Sequence, residues 1–254
     1  MPFTISHAVL APIISKATKN HLPIAALAIG CMTPDLYRLF TQKHFFEPHQ
    51  WQSIFSLTLW IGLAFCLVWY VLYRPALYRF LGMQDPLNLW NFKRILKFIV
   101  MNIIAVVIGI CTHLTWDGLT HADFRTFILR DFLSQNISLM GHQYPMHRIL
   151  QIGTSALALP FVIWMSWDYY CRNQQHIKIA KTVRYYGIGL FLLSLALGLF
   201  SFFDYIRHIP AQYFQSGLYH ITGSSINEFT QGFLITFTLG CILFLFLDRD
   251  RRLG

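Results

Sequence analysis

Five strongly apolar stretches of this chain lack Asp, Glu, Lys and Arg, and all five have nearly the same length. Ile54–Tyr73 has twenty residues, while Phe98–Trp116, Ile149–Trp167, Tyr185–Phe203 and Phe229–Leu247 have nineteen each. A helix rises about 1.5 Å per residue, so roughly twenty apolar residues cross a hydrocarbon core about 30 Å thick. One such run is compatible with a buried core helix; five of one length point to repeated crossings. The fold expected is all-α, a polytopic integral membrane protein of about five transmembrane helices. It forms a single membrane domain over residues 1–254, in which residues 1–53 make a segment of short helices packed on the end of the bundle.

The net charge of +9 and pI near 9.5 raise the question of nucleic acid. The basic residues answer it by their placement, because they flank the spans in short pieces, where juxtamembrane Lys and Arg belong. The bilayer is therefore the expected partner, and nucleic acid is not. Trp51, Tyr70, Tyr73, Trp116, Trp167, Tyr169 and Tyr170 gather near span ends as an interfacial belt. The five cysteines are scattered, with no CxxC, and read as small buried apolar residues rather than a disulfide framework. No span carries a charge deep in its middle, which argues against an ion or proton pathway and makes a transporter the weakest reading. GxSxG, P-loop and GxGxxG motifs are absent from the sequence.

The first 53 residues are more polar and carry His7, His21, His44 and His49. Thr4 or Ser6 is placed to cap a first helix. Leu22–Met32 is apolar but short, and it leads into Pro34-Asp35 without a small-residue cleavage site, so it is not expected to be a secretory signal. A short helix over Leu22–Cys31 is expected to break at Gly30 and the Thr33-Pro34 step, with a new turn over Asp35–Phe40. Five spans place the termini on opposite sides. Residues 1–53, 117–148 and 204–228 share one side with eight Lys/Arg; the other side holds twelve. The positive-inside rule then puts the carboxyl terminus in the cytoplasm. Ten of the eleven histidines fall on the opposite, non-cytoplasmic side.

At the end of the second span His113, Asp117 and His121 recur at four-residue intervals. Four helical residues advance roughly 400°, so each side chain lags the previous one by about 40° and all three share a stripe. Such a stripe suits a divalent metal, zinc above all given imidazole and carboxylate ligands. It also suits a polar seam between helices. His113 and His121 stand about 12 Å apart along the axis, too far to share one ion. Asp117 between them allows one ion with an outer partner, or two ions bridged by the carboxylate. Further ligands must come from the same side: Asp35 is the best carboxylate, His7 the best imidazole and His49 the next. Asp204 and His208 repeat the spacing and read as a solvated pair.

Several pieces together resemble a bacterial membrane family called domain of unknown function 4184. They are Pro2-Phe3-Thr4-Ile5-Ser6-His7, Gly30-Cys31-Met32-Thr33-Pro34-Asp35, the His113–His121 helix, and Tyr144-Pro145-Met146-His147-Arg148 running on to Ser155. Cys31 stands where a serine is common in that family. The family is in turn distantly similar to inner-membrane proteins labelled metal-dependent hydrolases, and more remotely to zinc-dependent phospholipases. The resemblance implies a hydrolase at the bacterial inner membrane, acting on a lipid or phosphoester through His7, Asp35, His113, Asp117 and His121, with Asp117 or His49 as base. The competing expectation is a structural or partner-binding membrane protein whose His/Asp cluster rigidifies the bundle.

Overall fold

A computed structural model describes residues 4–40, 47–139, 141–175, 179–210 and 218–253. Pro2 and Phe3 of the opening motif, His44, His176 and the side chain of His220 lie outside the described residues. Short helices α1 (Ala11–Ala17) and α2 (Ile24–Leu36) precede α3 (Trp51–Leu81) and α4 (Phe92–Thr120). There follow a one-turn helix α5 (Arg130–Ser134) and a hairpin of β1 (Asn136–Leu139) and β2 (His142–Pro145). The chain ends with α6 (Met146–Asn173), α7 (Lys181–His208) and α8 (Leu218–Leu247). Helices α3, α4, α6, α7 and α8 are each long and apolar enough to cross a membrane. The protein is an all-α polytopic membrane protein.

Each spanning helix outruns its uncharged stretch at one end or both. α4 begins at Phe92, and Asn91 caps it by accepting the Arg94 backbone N–H at 2.9 Å. Its first turns carry Lys93, Arg94 and Lys97, whose long side chains reach the headgroup level from a helix end. α3 keeps turning through two π-type segments, Ile54–Thr58 and Trp69–Tyr73.

Contacts cluster into two compact units. One joins Met1–Cys66 with Leu87–Tyr169; the other joins Leu67–Pro86 with Tyr170–Gly254. In the first, α2 lies along the flank of α4 with backbones touching. A Cβ on Gly30 would sit 2.4 Å from the Val106 carbonyl oxygen, and one on Gly109 would sit 2.5 Å from that of Leu27. Small residues at such crossings let helices approach closely where no water drives them together. This contact corrects the expected break: α2 runs through both Gly30 and Pro34 and ends at Leu36. Gly30 serves the close approach, and Pro34 is fully buried against its neighbours, so packing overrides local propensity.

Thr4–Leu10 forms a 3₁₀ segment. Neither hydroxyl expected to cap it does so. Thr4 Oγ1 donates to Asp35 Oδ2 at 3.1 Å, and Ser6 Oγ donates to the Ser155 carbonyl of α6 at 3.1 Å. The stretch after α4, polar by its charges, exposes Phe124, Phe127, Ile128, Leu129 and Phe132.

The second unit is built on α7 and α8, with Ala76, Val183, Leu190, Phe237, Cys241 and Phe244 as its buried centre. Tyr73 and Thr238 share a 2.6 Å hydrogen bond, and Arg79 Nε donates to Asp248 Oδ2 at 2.9 Å. His208 Nδ1 stands 3.7 Å from Asp204 Oδ1, with both side chains exposed.

Candidate metal centre

The close crossing of α2 and α4 fixes the first ligand. His113 lies one turn beyond Gly109, and Cys31 follows Gly30, so the two glycines bring the Cys31 carbonyl against the imidazole. His113 Nδ1 donates to that oxygen at 2.7 Å. With Nδ1 donating to the carbonyl, Nε2 is the nitrogen turned inward, and a metal bound there would take the place of any proton it carries. His113 Nε2 is buried without a hydrogen-bond partner, 3.5 Å from Asp117 Oδ2.

Three other segments converge on the same point. His7, from the 3₁₀ segment, stacks on His113 with ring centroids 3.8 Å apart and planes at 21°. Its Nε2 is likewise buried without a hydrogen-bond partner, 3.9 Å from Asp117 Oδ1. Asp35, in the last turn of α2, accepts from Thr4 through Oδ2 and faces His49 Nε2 through Oδ1 at 3.3 Å. His49 comes from the short turn Glu47–His49 before α3, and its Nε2 is also 3.8 Å from Asp117 Oδ2. The possible ligand atoms of His7, Asp35 and His113 all lie within 4.8 Å of one another, as do those of His49, His113 and Asp117.

Around a tetrahedral zinc with bonds near 2.1 Å, ligand atoms stand roughly 3.4 Å apart. The distances above need only a small contraction to reach that. His113 belongs to both groups and has only Nε2 to offer, so the groups describe one position for an ion rather than two. Two orphaned imidazole nitrogens beside two carboxylates are what a cation would satisfy, because buried polar atoms otherwise find partners. The donor set fits a divalent ion.

The charges agree. Burial holds His7 well below the ordinary histidine range, and the neighbouring His113 pushes in the same direction. Burial also lowers His49 against the pull of Asp35. Both are therefore neutral near pH 7, the form that binds metal. For Asp35 burial pushes the pKa up, but the charge at His113 and the hydrogen bond from His49 prevail and hold it well below the carboxylate range.

His121 belongs to neither group. The expected helical stripe stops short of it, because α4 ends at Thr120 and His121 is extended; its Nδ1 is 3.1 Å from the Asp117 carbonyl oxygen and 3.5 Å from Asp117 Oδ1, so it stands behind Asp117 rather than beside the other imidazoles. Burial, and then the Arg125 charge, lower it to about 4 against the pull of Asp117. Of the five residues singled out by sequence, the structure thus gathers His7, Asp35, His113 and Asp117, with His121 next to the last.

His49, third among the remote ligands expected, lies among the first here, and Arg125, which no spacing singles out, joins them. Arg125 Nη1 donates to Asp117 Oδ2 at 3.0 Å, while its Nε and Nη2 clasp the Asp123 carboxylate. The His121–Arg125 spacing carries no helical signal, since the chain reverses there, with Thr126 Oγ1 donating to the His121 carbonyl. The Asp-x-Arg pattern was the only sign available.

The family model described as Domain of unknown function (DUF4184) matches residues 1–247. Neither the curated proteins nor the solved structures contain a match to this chain.

Proposed function

The chain belongs to the DUF4184 family, whose description assigns no activity, so we propose a function from the site itself: a metal-dependent hydrolase acting at the membrane surface on a lipid or phosphoester. The observation that carries it is the pair of buried, unpartnered Nε2 atoms of His7 and His113 turned toward Asp35 and Asp117. His7, Asp35, His49, His113 and Asp117 would hold one ion, zinc by the chemistry of the set. A divalent ion there supplies Lewis-acid polarisation of an ester or phosphoryl oxygen and a bound water of lowered pKa.

The chain's own residues divide the remaining work. The Cys31 carbonyl sets the tautomer of His113, and Thr4 holds Asp35. Arg125 anchors Asp117. His49 alone of the five also lines an open cavity, so it is the group nearest an arriving substrate. The setting we propose is the bacterial plasma membrane, with the site on the non-cytoplasmic side and the carboxyl terminus in the cytoplasm. The excess of Lys and Arg flanking the opposite span ends supports that orientation.

The test is metal analysis of the purified full chain in neutral detergent, followed by hydrolysis of chromogenic esters and phosphodiesters. Near one zinc per chain is expected, lost in Asp117→Asn together with any hydrolysis. A wild-type protein that folds without stoichiometric metal overturns the proposal and leaves a structural His/Asp cluster. Metal without hydrolysis removes the enzyme and keeps the centre.

A further inference from the structure

Beside the centre lies a cavity of about 420 Å³, lined by His49, Gln50, Trp51, Gln52, Phe124 and Arg125, with Leu114 as an inner apolar wall. This is within the range for a drug-sized ligand and far more room than a bare inorganic anion requires. Its walls come from the start of α3 and the segment following α4, both at span ends and hence at headgroup depth.

The polar side of the cavity carries one cationic group among the described residues that line it, Arg125, beside the neutral amides of Gln50 and Gln52. Asp123 takes its Nε–H and one Nη2–H, and Asp117 takes one Nη1–H. A guanidinium has five N–H groups, so one on each terminal nitrogen remains. The two carboxylates hold the plane of the fork, and a fork held in place suits bidentate recognition of a phosphate.

The apolar side has a second, independent feature. Trp51 and Phe124 are both 49% exposed at the cavity wall, and Phe127, Ile128, Leu129 and Phe132, which follow Phe124 in the same segment, are exposed as well. In water such a run would be a liability. At a span end it is what sits in the acyl boundary below the headgroups.

We infer that the cavity binds a phospholipid entering from the bilayer, its phosphate on Arg125 and its acyl chains along Trp51, Phe124 and the surface beyond. This rests on the hydrolase reading for its place beside the metal, and it chooses a lipid over a soluble phosphoester. One guanidinium matches one phosphate, and an aqueous substrate leaves the apolar wall without a purpose.

The experiment titrates the full chain in neutral detergent with dihexanoyl phosphatidate, dihexanoylglycerol and inorganic phosphate, by calorimetry, with chelator and again with zinc. Phosphatidate is expected to bind at least tenfold tighter than either of the others. Arg125→Gln should abolish its advantage over dihexanoylglycerol, and Phe124→Ser its advantage over phosphate. Equal binding of phosphate and phosphatidate overturns the inference in favour of a soluble phosphoester. Equal binding of dihexanoylglycerol shows that no anion is recognised and also overturns it. The three-ligand comparison on wild-type protein needs no variant, so a misfolded Arg125→Gln leaves the inference exposed to refutation. Preference for phosphatidate in protein that binds no zinc sinks the hydrolase alone; zinc binding without that preference sinks this inference alone.

Discussion

His113 Nδ1 and the Cys31 carbonyl oxygen are 2.7 Å apart across the α2–α4 crossing, and that bond decides which imidazole nitrogen meets the carboxylates. The crossing itself depends on glycine. Gly109→Ala would put a methyl 2.5 Å from the Leu27 carbonyl and 2.6 Å from the Cys31 backbone nitrogen. Backbone rather than a flexible side chain blocks the new atom, so the helices must separate. Overpacking of this kind costs about 1–3 kcal/mol. Thermal unfolding of the detergent-solubilised chain should shift down accordingly, with zinc content falling alongside. An unchanged melting point would mean that the helices do not touch there.

Thr4 was legible only as a helix cap, yet its hydroxyl donates to Asp35 Oδ2. Thr4→Val keeps the shape and removes the donor. Partners of a ligating carboxylate are worth about tenfold to hundredfold in metal affinity. Competition with a chelator should therefore show zinc held at least tenfold more weakly in Thr4→Val, with helix content by circular dichroism unchanged. Equal affinity would take Asp35 out of the ligand set.

Acidity should act through histidines that are buried neutral. His121 titrates near 4 in the folded chain against an ordinary value of 6.5, chiefly through burial. The unfolded chain therefore takes up this proton first as pH falls. Stability from His121 is full above about 6.5, declines between there and about 4, and is gone below that. His7 and His49 are lowered in the same direction and add to the slope. Unfolding followed in chelator should show stability dropping from pH 7.5 to pH 4.5, with a shallower slope in His121→Gln. A slope untouched by that substitution would show His121 to be solvated in the folded state.

His113 and Asp117 were readable because polar residues at four-residue spacing close an otherwise apolar run, a signal that needs no tertiary knowledge; that His121 falls just past the end of α4 was not. The five spans were readable for the same reason, since hydrocarbon thickness sets their length. Span ends were not, because residues such as Lys93 and Arg94 stay helical while their side chains reach for water. The continuous run of α2 through Pro34 depends on its packing against α4, which no local propensity encodes. Asp35 and His7 were selected by side and by family resemblance, and the structure puts His7 Nε2 3.9 Å from Asp117. The rank of His49 and the role of Arg125 stayed hidden in turns, where position depends on chain reversal rather than periodicity.

A final expectation concerns the second unit. Arg79 Nε donates to Asp248 Oδ2 at 2.9 Å, with the Asp248 side chain only 7% exposed and that of Arg79 27% exposed. The other oxygen, Oδ1, accepts the Leu253 backbone N–H at 3.1 Å, so the carboxylate ties the chain end to α3. Arg79→Met keeps an apolar stem of similar length and withdraws the charge. The carboxylate is then left partly buried without its cation, which costs about 1–3 kcal/mol. Replacing both partners, Arg79→Met with Asp248→Asn, should recover a good part of that loss, since the unpaired charge and not the missing contact dominates it. The check is the double-mutant cycle by thermal unfolding, read beside zinc content. Zinc should not change, because no residue of the metal groups lies in this unit. Additive losses in the cycle would mean that the two side chains do not pair in solution.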